Sequence, residues 1–248
     1  MKKYIDKDNG IYLFNEDAIK IMDVFIEGGK KFDCIVTDPP YKVTARGRGK
    51  NTTTGGMLTK EIVNKGKVFK HNDLEIEEWL PKLWNLLNDV SHCYIMTNQK
   101  NITKYLKTID DMYFNNDKKQ KFHFIKNLIW MKDNKIMGQT YMSQFEYIIM
   151  LRRGAHKRIN NCGDSDILQF ANKKMKDEDK KTIHDTEKPV GLLETIIKNA
   201  TNKGDIVLDP FMEINSAGVA CKNLGRKFVG IELDEDYFNK SVERISKI

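Results

Sequence analysis

The chain has 248 residues, 40% of them hydrophobic, which suits one sizeable domain or one domain with a substantial insertion and excludes a disordered chain. It has no run of about 18 apolar residues, and its charged start, Met1-Lys2-Lys3-Tyr4-Ile5-Asp6, lacks the apolar stretch of a signal peptide, so the sequence reads as soluble and cytoplasmic. Cys34, Cys93, Cys162 and Cys221 lie far apart with no C-x-x-C pair, which argues against a metal site or a disulfide framework, and the net charge is +7.

In chain order, Ile11 to Phe14 reads as a short strand, Glu16 to Ile26 as an amphipathic helix ending at Gly28-Gly29, and Phe32 to Thr37 as a buried strand. Asp38-Pro39-Pro40-Tyr41 follows directly. Alone, it is either a turn that ends a strand or a rigid set of groups able to grip something flat. From Lys42 to Lys70 there are eight basic residues, Arg46, Arg48 and Lys50 among them, against one acid, Glu61. This segment carries the whole excess charge. It reads as a flexible loop over 42–73 suited to neutralising phosphates, or as a solvated loop that keeps the chain soluble.

Ile76 to Leu87 has helical spacing, with Pro81 marking a kink or a fresh start. Cys93 to Met96 is a predicted strand, Ile102 to Ile109 a helix, and Phe122 to Met131 and Tyr147 to Leu151 two further strands. Arg152 to Asp185, rich in Lys, Asn and Asp, breaks this rhythm and reads as an irregular excursion. A helix from Pro189 to about Ala200, a strand at Asp205 to Leu208, a helix at Ser216 to Leu224, a strand at Phe228 to Ile231 and a helix at Tyr237 to Ile245 complete the chain. Strands separated by helices predict an α/β fold with a parallel or mixed sheet covered on both faces.

The stretch "DIVLDPFMEINSAGVACKNLGRKFVGIELD" resembles a nucleotide-binding βαβ unit, with Glu232 placed 23 residues after Asp209, near the spacing of about 20 at which an acid accepts hydrogen bonds from ribose hydroxyls. Glu232 also reads as a plain surface acid. Together with Asn15-Glu16-Asp17-Ala18, Asp38 to Tyr41 and His184-Asp185-Thr186-Glu187-Lys188-Pro189, this stretch makes the whole chain resemble the amino-directed DNA methyltransferases of the β arrangement. In that family the catalytic turn comes first, a target-recognition region follows, and the cofactor loop lies near the C-terminus.

The resemblance implies a single catalytic domain over 1–248 with a Rossmann-like fold, a mixed and mostly parallel sheet and helices on both faces. It also implies a target-recognition excursion at about 132–186, S-adenosylmethionine (SAM) as cofactor, double-stranded DNA as partner, no metal, and a plausible homodimer. By the same resemblance Asp17 and Ala18 lie near the cofactor adenine, Glu232 at its ribose and Lys188 at its methionine end, while Asp209, Phe211, Ser216 and Gly218 belong to the cofactor loop. Asp17 reads equally as a helix N-cap, which does not exclude cofactor contact. His184 is given no catalytic role.

The chemistry of the turn is then specific. An exocyclic base amine is a poor nucleophile because its lone pair is delocalised into the ring. Asp38 can accept one N–H, and the fixed φ of Pro39 and Pro40 can aim a backbone carbonyl at the other. Tyr41 can stack on the base once it is flipped from the duplex. In the family an aspartate at position 38 implies adenine N6, whereas serine more often marks cytosine N4. Arg46, Arg48 and Lys50 are the expected DNA contacts.

One feature departs from the family pattern. Where the cofactor loop usually carries two glycines, "DPFMEINSAG" has Glu213 and Asn215. Glutamate supplies neither a positive φ nor close backbone approach, whereas asparagine tolerates the left-handed region. The Glu213 carboxylate either sits against the carboxylate of SAM and repels it or points to solvent while the loop adopts another shape; weakened SAM binding is therefore expected, and a silent DNA-binding relative is the alternative to an active enzyme. An RNA or small-molecule methyltransferase on the same sheet is a third reading.

Overall fold

A computed structural model describes residues 1–40, 74–115, 122–136, 141–172 and 187–248. They fall into a main unit, Met1–Pro39 with Ile76–Ile248, and a second unit, Pro40–Glu75. Nearly all of the second unit, including Tyr41 and the basic stretch with Arg46, Arg48 and Lys50, lies outside the described residues, as does His184 to Thr186.

The main unit is built on a nine-stranded sheet, ordered β1-β2-β9-β8-β3-β4-β6-β5-β7. The strands are β1 (Lys2–Asp6), β2 (Ile11–Asn15), β3 (Phe32–Thr37), β4 (Leu87–Thr97), β5 (Phe122–Ile136), β6 (Ser143–Arg153), β7 (Ile167–Gln169), β8 (Ile206–Asp209) and β9 (Lys227–Glu232). The helices are α1 (Ala18–Glu27), α2 (Ile76–Leu86), α3 (Ile102–Asn115), α4 (Val190–Ala200), α5 (Ser216–Leu224) and α6 (Glu235–Ser246). The run β2-β9-β8-β3-β4 is parallel, while β1 joins β2 and β6 joins both β4 and β5 antiparallel. This is the expected mixed, mostly parallel α/β sheet.

Its central strands are apolar on both faces because helices cover both. Cys34, Val36, Tyr94, Met96, Ile148 and Met150 share one buried layer with Leu192, Ile196 and Val219 of α4 and α5. The alternate residues Ile35, Cys93, Ile95 and Ile149 point the other way by strand periodicity and are buried as well.

Three expectations need correction. Of the two outcomes expected at Pro81, a kink or a fresh start, the fresh start falls away, because one helix runs over Ile76–Leu86. The stretch 132–186 is not wholly an excursion, because β6 pairs with β4 along its whole upper half. Nor is Arg152 to Asp185 wholly irregular. Leu168 of β7 is buried, β7 lies parallel to β5, and Trp130 Nε1 donates to the Phe170 carbonyl at 2.9 Å, which ties this segment to the sheet. The strand β1, which borders the sheet, has no counterpart among the predicted elements.

Candidate active site

The sheet changes direction of winding between β8 and β3. From β3 the chain crosses outward to β4, whereas from β8 it crosses the opposite way to β9. A crevice opens at the carboxyl ends of strands where adjacent connections diverge in this manner. Here it is a cleft lined by Thr37, Asp38, Lys188, Asp209, Phe211, Glu213 and Ser216, with apolar walls from Val36, Met96 and Leu193. Asp38 comes from the end of β3, Asp209 from the end of β8, and Lys188 from the segment leading into α4.

Thr37 Oγ1 donates to Asp209 Oδ1 at 2.8 Å, and the Phe211 N–H donates to the same oxygen at 3.1 Å. These bonds lock the first turn of the loop onto the neighbouring strand. Burial pushes the Asp209 carboxyl up to about 7, against the opposing pull of the two donors. The Phe211 ring packs edge-on against Trp79 of α2 at 5.6 Å between centroids.

Asp38 is held differently. Its Oδ2 accepts a hydrogen bond from Lys188 Nζ, and Lys188 is itself buried. Burial raises the Asp38 pKa above the usual carboxylate range; the Lys188 ammonium opposes this, and Glu146 adds to it. Lys188, expected at the methionine end of the cofactor, is thus also bound to the catalytic candidate. Pro39 is buried and Pro40 half-buried.

The second half of the site lies at the ends of β9 and β2. Asn15 and Glu232 are register partners, and Asn15 Nδ2 donates to the Glu232 carbonyl at 2.9 Å. Asp17 then caps α1, accepting from the N–H groups of Ile19 and Lys20 at 2.8 and 3.1 Å, so the N-cap reading of Asp17 holds. Ala18 is the first residue of that helix. The Glu232 carboxyl accepts from the Asp234 N–H at 2.7 Å, and burial pushes its pKa up to about 8.

The loop between Asp209 and α5 does not change shape to suit Glu213. Glu213 has φ 50° and Asn215 φ 66°, so both residues adopt the left-handed backbone that glycine would supply. Surrounding bonds impose it. The Glu213 carbonyl accepts from Ser241 Oγ at 2.8 Å, the Ile214 carbonyl from Arg244 Nη1 at 3.1 Å, and Asn215 Oδ1 caps α5 through the Gly218 N–H at 3.1 Å. A Cβ on Gly218 would come within 2.0 Å of that Oδ1, so the Asn215 cap and Gly218 require each other. Arg244 also pairs with buried Glu187 at 2.8 Å and donates to Ser216 Oγ at 3.1 Å.

Holding glutamate in the left-handed region costs about 1–2 kcal/mol, partly offset because a new glycine gains freedom in the unfolded chain. Glu213→Gly is accordingly expected to stabilise the protein by about 0.5–1 kcal/mol in urea unfolding. Asn215→Gly should instead destabilise it, because the buried Gly218 N–H loses its acceptor. A loss of stability in the first variant would mean that the Glu213 side chain contributes more than its backbone strain costs.

Among the described residues the cleft brings the carboxyl groups of Asp38, Asp209 and Glu213 together with one cation, Lys188, and burial favours the neutral form of Asp209. Such a lining offers oxygen acceptors to a ligand that carries hydroxyl and amine donors, as SAM does. Glu146, Lys132, Arg244 and Thr37 were not singled out from the sequence, and Glu187, quoted with the Lys188 motif, was given no role; their pairings join separate elements and leave no periodic trace.

A DNA methylase family model, of the N6- and N4-directed class, matches residues 32–243. Among curated relatives, the type II methyltransferase M2.LlaDCHI of Lactococcus lactis subsp. cremoris is 26% identical over 99% of this chain and 93% of its own length. M.HpaI of Haemophilus parainfluenzae, also a type II methyltransferase, is 27% identical over 94% of this chain and 73% of its own. Among solved structures, that of the M1.HpyAVI–SAM complex superposes with a TM-score of 0.68 at 25% identity, covering 94% of this chain and 99% of the other. The family match runs from β3 through Asp38 and the Asp209 loop to α6, taking in every residue that lines the cleft, and the chain therefore belongs to the DNA methylase family.

Proposed function

We propose that this protein transfers a methyl group from SAM to the N6 amine of adenine in duplex DNA. The observation that carries the reading is the placement of Asp38, Lys188 and the Asp209 loop around one cleft at the point where the sheet reverses its winding. SAM, as cofactor, supplies the electrophilic methyl carbon. Glu232 at the end of β9 and Asp17 at the start of α1 offer acceptors for hydroxyl and amine donors. Asp38, kept ionised by Lys188, accepts an N–H of the target amine and leaves the nitrogen lone pair free to attack. Closure of the cleft around the flipped base holds the amine in line with the methyl carbon, so positioning supplies much of the rate.

Adenine is favoured over cytosine by the aspartate at position 38 of the Asp-Pro-Pro-Tyr turn. Tyr41 is assigned to stacking on the extruded base, and Arg46, Arg48 and Lys50 to DNA phosphates, on sequence grounds. A homodimer belongs to the same reading. Among the described residues no helix is long and apolar enough to cross a membrane.

The decisive experiment incubates the protein with isotope-labelled SAM and duplex DNA, then separates the methylated nucleosides by mass. N6-methyladenine is expected; N4-methylcytosine alone would overturn the base assignment, and label in neither would favour the silent relative. That alternative drew on Glu213; its glycine-like φ removes the conformational objection, while its place in the cleft lining keeps the charge objection for this experiment to decide. Replacing Arg46, Arg48 and Lys50 together by alanine should weaken binding to all duplex sequences alike. It should also flatten the log–log salt dependence by up to about three units of slope, if each residue meets one phosphate. An unchanged slope would assign these side chains to solvent.

A further inference from the structure

Four charged side chains of alternating sign form a row that ends in the cleft. Lys132 of β5 binds Glu146 Oε1 of β6; the other Glu146 oxygen lies 3.7 Å from Lys188 Nζ; and Lys188 in turn binds Asp38. The side chains of Lys132, Lys188 and Asp38 are only 4%, 8% and 13% exposed, and that of Glu146 is 23% exposed. Lys132 also lies over the Trp130 ring, 4.5 Å from its centre, and its carbonyl accepts from Gln144 Nε2 at 3.0 Å. The first two members therefore have fixed positions. Neither Lys132 nor Glu146 lines the cleft.

Burying four charges is a poor route to stability, since well-packed apolar residues often do as well or better. Their value lies in what the row does to its last member. Lys188 is shared between two carboxylates, so its hold on Asp38 depends on how strongly Glu146 competes for it. Lys132 governs that competition by neutralising Glu146. Burial acts against the Glu146 charge, but Lys188 and Lys132 together outweigh it and hold Glu146 ionised. Among the described residues, Asp209 and Glu213 are the further titratable groups that line the cleft with Asp38 and Lys188, and Asp209 acts on Asp38 directly.

We propose that Glu146 and Lys132 are positioning residues that set the charge state of Asp38 through Lys188. What Asp38 does with that charge rests on the methyl-transfer reading above; the row itself is a feature of the fold. The proposal predicts opposite effects from its two members. Glu146→Gln removes a negative neighbour and leaves Lys188 undivided on Asp38, which should then titrate lower. Lys132→Met leaves Glu146 free to draw Lys188 away, so Asp38 should titrate higher. Each displacement is expected to be about one pH unit, the scale of a unit charge at several ångströms in a partly screened interior.

The test is a carboxyl carbon-13 NMR titration of the full-length protein labelled at aspartate, with the Asp38 signal assigned by its loss in Asp38→Asn. It is run on the wild type, both single variants and the double variant, with Lys132→Gln as a substitute if Lys132→Met does not fold. Opposite displacements in the single variants, with the double following Glu146→Gln because Lys132 acts through Glu146, are the expected result. A merely structural role would lower the melting temperature of each variant without sending the Asp38 titration in opposite directions. Displacements of the same sign, or none, would overturn the proposal. The acid limb of single-turnover methyl transfer should follow the same order. A wild type that transfers no methyl group but shows the opposite displacements would sink the functional reading and leave the row standing, whereas methyl transfer without them would do the reverse.

Discussion

Asp38→Ala is expected to lower single-turnover methyl transfer by about 10²–10⁴-fold while DNA and SAM affinities stay within a few-fold of wild type. The acceptor it removes acts on the amine during the transfer step, so the loss should appear in kcat rather than KM. The fold should tolerate the change. Lys188 keeps its second partner, Glu146, at 3.7 Å, and that carboxylate is in turn bound by Lys132, so no buried charge is stranded. Quench-flow measurement of methyl incorporation beside urea unfolding checks both halves. Activity near wild type would remove Asp38 from the mechanism; a large loss of stability would mean that the row does not hold together without its last member.

Lys188→Met should be the more damaging substitution, because it strikes chemistry and stability together. It strands Asp38 as a buried carboxylate without its ammonium, while Glu146 keeps Lys132, and breaking a buried pair in this way costs about 3–5 kcal/mol. The direction with pH follows from the same charges. Burial and Glu146 already push Asp38 upward and Lys188 holds it back, so in the variant its folded pKa rises further above the unfolded value. An acid raised on folding is neutral in the native state while the unfolded chain is ionised. Its contribution is therefore fully present below the unfolded pKa and is lost as pH rises through the folded one. The stability deficit of Lys188→Met should thus widen between acid and alkaline pH, and residual methyl transfer should recover only towards alkaline pH, as Asp38 ionises. Urea midpoints at pH 5 and pH 8, with single-turnover rates at the same values, decide this. A deficit that narrows with rising pH would contradict the assignment of Lys188 as the partner that keeps Asp38 ionised.

The parts of this molecule visible in the sequence are those with local causes. The β8–α5–β9 unit was legible because an apolar run, a helix start at Ser216 and an acid at the end of the next strand recur at fixed short distances. Strand β1 escaped notice because Lys2, Lys3 and Asp6 give a sheet edge little apolar signal, and β7 because it has three residues, of which only Leu168 is buried. The reading of β4 began at Cys93, since polar Asn88 and Asp89 and the left-handed Val90, at φ 56°, disguise the first half of that strand. At the site, Asp38, Lys188, Asp209 and Glu232 were found through motifs, but the partners that tune them were not. Glu146 reaches Lys188 from a strand 42 residues earlier in the chain, and Arg244 reaches Glu187 from the last helix. The error at Glu213 has a different origin. Local preference forbids little when Ser241, Arg244 and the Asn215 cap together dictate the backbone.

The bond from Thr37 to Asp209 spans 172 residues, and β3 and β8 are neighbours in the sheet. At ribosomal speeds of about 5–20 residues per second, roughly 9–34 s separate the synthesis of these two partners. For most of that interval the nascent chain carries Asp38 and the basic stretch after it, yet lacks Lys188, Asp209 and the strand that completes the cleft. The amino-terminal half must therefore wait with one edge of β3 unpaired, and closing so long a loop late favours slow folding and exposure to aggregation. A ribosome-stalled or prematurely terminated chain would retain the cationic segment and the Asp-Pro-Pro-Tyr turn without any capacity for transfer, so competence arrives only when the final strands are delivered.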